Sequence, residues 1–179
     1  GIIELGELRA EGILLERFIQ VDKLEIQGKS LVHYPINGWI ELTIGFLGSG
    51  DDLRVLNPSI TVAKSNVLSV EEKFQAGTGI NMTPPPSELI SGEQVKWIQS
   101  KIREIIIGVG LKNYARIDVF FNRLNNELII IEINSLPALT PSTVLYHQGI
   151  AETDPVYPVQ LLESIIDDAL KGSKLPVLR

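Results

Sequence analysis

The chain reads as an α+β fold, an antiparallel sheet flanked by helices that the element order places on one side. Three observations predict it. Strand-like segments occupy the first third, ending near Thr61. A single strongly amphipathic helix follows Ser91, and two adjacent strands around a polar turn come next, before a last helix.

The early strands are "ILLERFI", "WIELTIGFLG" and "LNPSITV", with "QVDKLEIQGKSLVHYPING" between the first two as a hairpin-like insertion turning at Gly and Asn-Gly. The stretch from Val70 to Ile90 carries two close glycines and three consecutive prolines and reads as a long irregular loop, a type that often bears function. Ser91 and Gln94 form a capping-box signature. Val95, Ile98, Ile102, Ile105 and Val109 then recur at three- and four-residue spacing, and Gly108 and Gly110 mark the end. "ARIDVFF" and "ELIIIEIN" are strands joined through "NRLNN", and "PVQLLESIIDDALKG" is a helix stopped at Gly172.

Composition narrows the function. The 179 residues, 44% hydrophobic and 21% charged, suit a soluble protein with one sizeable core. A net charge of -6 without a basic block argues against nucleic acid as a partner, though not against a small phosphorylated ligand. There are no cysteines, so thiolate zinc sites and disulfides are excluded. His33 and His147 are too few and too scattered for a metal cluster. No apolar run is long enough to span a membrane, and the first residues lack the features of a signal peptide.

Side chains alternate along a strand. Ile117, Val119 and Phe121 therefore share one face, opposite Arg116, Asp118 and Phe120. On the second strand Ile129, Ile131 and Ile133 oppose Ile130, Glu132 and Asn134, and the apolar sets are expected to face the core. Pairing about Asn125 brings Asp118 opposite Glu132 and Arg116 opposite Asn134. Directly opposed carboxylates destabilise a sheet, and a divalent cation reverses that. An all-oxygen set of Asp, Glu and Asn suits magnesium and not zinc. Arg116 would then stabilise negative charge on a phosphoryl group or an oxyanion. An ordinary solvated strand face is the alternative reading of the same pattern.

The stretch "YARIDVFFNRLNNELIIIEINSLPALTPSTV" resembles the C-terminal segment of D-alanine–D-alanine ligases, of the ATP-grasp superfamily, whose pattern there is R-x-D, a turn, then E-x-N-x-x-P-G-x-T-x-x-S. "LLERFI" and "IELTIGFLG" resemble that family's adenine-side strands. "VEEKFQAGTGINMTPPP" occupies the place of its mobile active-site loop, in a glycine-rich form similar to plant D-alanine ligase-like proteins.

The resemblance implies a ligase in which ATP phosphorylates one D-alanine carboxylate and a second D-alanine's amine attacks the acyl phosphate. It implies that Asp118, Glu132 and Asn134 hold two magnesium ions, with manganese as a substitute, and that Arg116 stabilises the acyl phosphate and the tetrahedral intermediate. Glu16 and the backbone at Arg17 and Ile19 would meet adenine, Glu41 the ribose and Lys73 the phosphates, while Thr143 would contact the second substrate's carboxylate. It also implies a role in making peptidoglycan precursors, in the cytoplasm or a plastid stroma. Residues 1–61 would be a remnant of the central ATP-grasp domain and 62–179 the C-terminal domain with the metal site and loop.

The pattern is broken in places. Ala138 stands where the family has the glycine whose amide helps form the oxyanion hole, at a cost of about 1 kcal/mol if that position needs positive φ. Thr143 replaces a serine and keeps its hydroxyl, and Phe74 stands where many members have tyrosine. The family's substrate domain and the lysines of its central domain are absent, so the expected partners are the N-terminal half of the enzyme, a small amino acid such as D-alanine, and a second copy in a homodimer. The chain alone is expected to be inactive. A non-catalytic nucleotide-binding or structural module of the same fold, and an ATP-grasp ligase for another amino acid or peptide, are the competing readings.

Overall fold

A computed structural model describes residues 16–28, 30–62 and 80–172. Its centre is a four-stranded antiparallel sheet in the order β4-β3-β7-β8, made of β3 (Trp39–Leu47), β4 (Arg54–Val55), β7 (Tyr114–Asn122) and β8 (Glu127–Asn134). β3 and β7 pair along their whole nine-residue lengths, from Trp39 opposite Asn122 to Leu47 opposite Tyr114. That register follows from alternation, because it places Ile40, Leu42, Ile44 and Phe46 on the same face as Phe121, Val119, Ile117 and Ala115, and all are buried.

Helix α1 (Gly92–Val109) covers this face. Its capping box forms as expected: the Ser91 hydroxyl accepts from the Gln94 amide at 3.2 Å, while the Gln94 side chain accepts from the Ser91 amide. Ile98, Ile102 and Ile106 are buried along the helix and Trp97 meets the Phe121 ring. Val109 lies 62% exposed, so the stripe ends at Ile106 rather than Val109. Gly110 then closes the helix at φ 75, a left-handed position that suits glycine.

On the opposite face, helices pack at the Leu47–Tyr114 end. There α2 (Val144–Ile150) and α3 (Pro158–Gly172) pack, and Leu145, Tyr146 and Leu161 join Leu47 and Leu56 in a second cluster. Helices thus flank both faces, not one side. Gly45 permits this approach, because a Cβ there would collide with Leu145 and Gln148. The sequence predicts no element over α2, which at seven residues is too short to show a helical period.

The smaller strands also depart from expectation. β5 (Ile60–Val62) pairs antiparallel with β6 (Ile80–Met82), the latter inside the segment predicted to be irregular. β5 begins only after Pro58, which has no N–H to give a ladder. The described part of "ILLERFI", residues 16–19, is not a strand; Phe18 is 87% exposed, so the segment offers no apolar face to a sheet.

The insertion is a hairpin as predicted, β1 (Lys23–Gln27) against β2 (Ser30–Tyr34). Buried Asp22 fastens its base. Oδ1 accepts the amides of Ile36, Asn37 and Gly38 at 2.8, 3.0 and 2.9 Å, and Oδ2 lies 2.8 Å from His33 Nε2. The other ring nitrogen of His33 is 3.3 Å from Arg123 Nη1. Arginine only donates, so Nδ1 accepts and the proton sits on Nε2, directed at Asp22.

Candidate active site

The exposed side of the sheet, beyond the region covered by α2 and α3, carries the residues singled out on the hairpin. β7 and β8 pair as the alternation requires, Asp118 opposite Glu132 and Arg116 opposite Asn134. The register then shifts between Asp118 and Val119, leaving Ile131 as the extra residue of a bulge. Toward the turn the faces therefore exchange. Ile129 falls opposite Phe120 on the site face and Ile130 opposite Val119 on the core face, the reverse of the expected assignment. β8 is an edge strand, and Ile130 and Ile131 stay 38% and 41% exposed.

The four polar residues converge. Arg116 Nη2 lies 3.0 Å from Asp118 Oδ2 and 3.7 Å from Glu132 Oε1, bridging the two carboxylates. Asn134 donates to Glu132 Oε1 at 2.9 Å and to Asp118 Oδ2 at 3.4 Å. On the other side of β7, Thr43 donates its hydroxyl to Asp118 Oδ1 at 2.8 Å. Burial pushes the Asp118 carboxyl above its ordinary range and Glu132 adds to the rise; the Arg116 charge and the Thr43 hydroxyl only partly oppose them.

Two carboxylates, Asp118 buried and Glu132 exposed, against one guanidinium leave a net negative charge. The donor set is all oxygen once Asn134 turns its carbonyl, rather than its amide nitrogen, toward the carboxylates, and it fits magnesium. Arg116 Nε is buried with no hydrogen-bond partner among the described residues.

The remaining candidates are more dispersed. Glu41 lies on the same sheet face, opposite Phe120 and two residues before Thr43. Thr143 is the N-terminal cap of α2, with its amide donating to Thr140 and its hydroxyl not used to cap the helix. Ala138 is exposed, and its φ is not positive: among the described non-glycine residues only Asn113 and Asn126 are left-handed. The alanine therefore carries none of the strain that a left-handed glycine position would impose. Glu16 and Arg17 are exposed and Ile19 half-buried in an irregular segment. Lys73, Phe74 and the two loop glycines lie outside the described residues.

Two residues that sequence reasoning missed support the site. Thr43 is one. The other is Gln148 of α2, fully buried, whose Oε1 accepts from the Gly45 amide at 2.9 Å while Nε2 donates to the Thr43 carbonyl at 2.8 Å and the Ser59 hydroxyl at 3.1 Å. It fills the break between β4 and β5 on the edge of β3. Both contacts join residues 75 or more apart in sequence, so no local pattern announces them.

Comparison with known proteins decides the family. The model for "D-ala D-ala ligase C-terminus" matches residues 10–167, most of the chain. The chain belongs to this family. A D-alanine–D-alanine ligase of Carboxydothermus hydrogenoformans is 27% identical over 143 residues, covering 78% of the chain and 44% of that enzyme. The ligase-family fold is seen in the VanG D-Ala:D-Ser ligase of Enterococcus faecalis (TM-score 0.58, 23% identity, 77% of this chain and 38% of that one). It is seen again in D-alanyl-alanine synthetase A of Vibrio cholerae (TM-score 0.56, 18% identity, 78% and 41%). The fold is thus that of the C-terminal region of ATP-grasp ligases, and the chain spans less than half the length of the curated relatives it matches. No helix among the described residues is long and apolar enough to cross a membrane.

Proposed function

We propose that this chain is the ATP- and magnesium-binding C-terminal portion of a D-alanine–D-alanine ligase-like carboxylate–amine ligase that acts through an acyl phosphate. The observation that carries the reading is the apposition of Asp118 and Glu132 on one sheet face, with Arg116 between them and Asn134 alongside. A structural strand face gains nothing from opposing two carboxylates, one of them buried.

Asp118, Glu132 and Asn134 would hold magnesium, which when bound neutralises charge on the ATP phosphates and orients them. Arg116 Nη2 lies between both carboxylates, so the positive charge is in place before any ligand arrives. A cation placed in advance in this way is the kind of group that stabilises charge developing in a transition state. The backbone amide at Ala138 supplies a donor of the kind an oxyanion needs. Thr143 leaves its hydroxyl available for the carboxylate of the acceptor amino acid. Glu41, on the same face, suits the ribose hydroxyls. Glu16, Arg17 and Ile19 are assigned to adenine, and Lys73 to the phosphates, on family likeness alone. The acceptor is D-alanine or a similar small amino acid, and turnover requires the N-terminal half that supplies the rest of the nucleotide clamp.

Calorimetric titration with ATP at varied magnesium, on this chain and on its full-length parent, tests the reading beside a Glu132→Gln variant. Magnesium-dependent ATP binding that the variant loses is the expected result. Full-length protein that binds ATP equally well with and without Glu132 would refute it.

A further inference from the structure

We propose that Thr43 is a positioning residue of the cation site, acting through Asp118; the inference rests on the reading just given. Thr43 stands directly across from Asp118 in the β3–β7 register, and its hydroxyl donates to Oδ1 at 2.8 Å. That bond commits one carboxylate oxygen to the strand neighbour. The other oxygen, Oδ2, is thereby aimed at Arg116 and Asn134, the side on which Glu132 also lies. Without the hydroxyl, Oδ1 would lose this bond, while the bonds from Arg116 and Asn134 both fall on Oδ2.

Thr43 can serve this purpose because it is itself held rigidly. Its β-branched side chain has few rotamers on a strand. Its amide and carbonyl pair with Ser59 at 2.9 and 2.8 Å, beyond the end of β4, and the same carbonyl takes a second bond from Gln148. Gln148 is fully buried and closes the circuit through the Ser59 hydroxyl. The orientation of Asp118 is thus referred through Thr43 to a buried network anchored on α2, whose N-terminal cap is Thr143. Residues behind a metal ligand commonly govern affinity in this way, and their loss costs roughly 10- to 100-fold.

The test is a Mn²⁺ titration of the full chain, followed by the electron paramagnetic resonance signal of the free ion, in wild type, Thr43→Val and Thr43→Ser. Circular dichroism and thermal unfolding establish that each variant folds. Valine keeps the shape and removes the hydroxyl, and should weaken Mn²⁺ binding about tenfold or more with little change in Tm. Serine should restore most of that affinity, which a merely structural role would not require. Should valine not fold, Thr43→Ala against Thr43→Ser carries the same comparison. Equal affinity with and without the hydroxyl, or no recovery with serine, overturns the role of Thr43 while leaving the cation site standing. No Mn²⁺ binding by wild type overturns the site, and Thr43's role with it.

Discussion

Two aspartates lie buried in this protein, Asp22 at the base of the inserted hairpin and Asp118 on the central sheet, 4% and 8% exposed. Their surroundings differ in kind. Asp22 receives three backbone amides and the His33 ring. Burial acts to raise its pKa, but the bonds from Ile36, His33, Asn37 and Gly38 together outweigh it and hold the carboxyl below its usual range. Asp118 receives one hydroxyl, one guanidinium and a long amide contact, and faces a second carboxylate. There burial prevails and the carboxyl is pushed up. The first anion is fully provided for by the fold, as a structural charge must be. The second is underprovided, as a site awaiting a cation would be.

Removing each carboxylate should separate the two roles. Asp22→Ala leaves three amides and the His33 proton without their acceptor, and should cost on the order of 3 kcal/mol of stability, measured by denaturant unfolding. A loss below about 1 kcal/mol would mean that water replaces the carboxylate freely and that the clamp is incidental.

Acid should produce a smaller, graded version of the same effect. A carboxyl whose folded pKa lies below its unfolded value contributes stability that is complete above the unfolded value, about 3.9 for aspartate. That contribution is lost as pH falls through the lower folded value. The Asp22 contribution should therefore begin to fade as pH falls below about 4, and Asp22→Ala should show a shallower acid slope than wild type. Asp118 has the opposite sign: its ionised form is penalised by folding, and protonation relieves the penalty as pH falls through its raised pKa.

These two aspartates also mark how far the sequence could be read. The β7–β8 register was legible because the polar turn and the alternating faces leave one pairing that buries Ile117, Val119 and Phe121. It yielded the Asp118–Glu132 apposition directly. The bulge at Ile131 was not legible, since a one-residue insertion in a run of isoleucines changes no local pattern. Position along the chain also hid the supporting contacts: Thr43 reaches Asp118 across 75 residues, and Gln148 reaches Gly45 across 103. The side on which helices pack was misjudged because it depends on Gly45 leaving room for Leu145, a steric fact of tertiary structure. "ILLERFI" had the composition of a strand, but its described residues have no sheet face to join.

Substitution at Asp118 should have the smallest effect on the cation-free chain. Asparagine can still accept from Thr43, and Arg116 keeps Glu132 within reach, so Asp118→Asn should unfold within about 1 kcal/mol of wild type. The cation is what should tell the two apart. The decisive measurement is thermal unfolding of wild type and Asp118→Asn, each with and without Mg²⁺. A cation that binds only the folded state stabilises it, by about 2.7 kcal/mol at a hundredfold excess over Kd. Wild type should rise in Tm with Mg²⁺ and Asp118→Asn should not, while the two match in its absence. If the variant instead loses stability without Mg²⁺ as Asp22→Ala does, or both proteins respond alike to Mg²⁺, Asp118 is a structural charge and the cation site is not there.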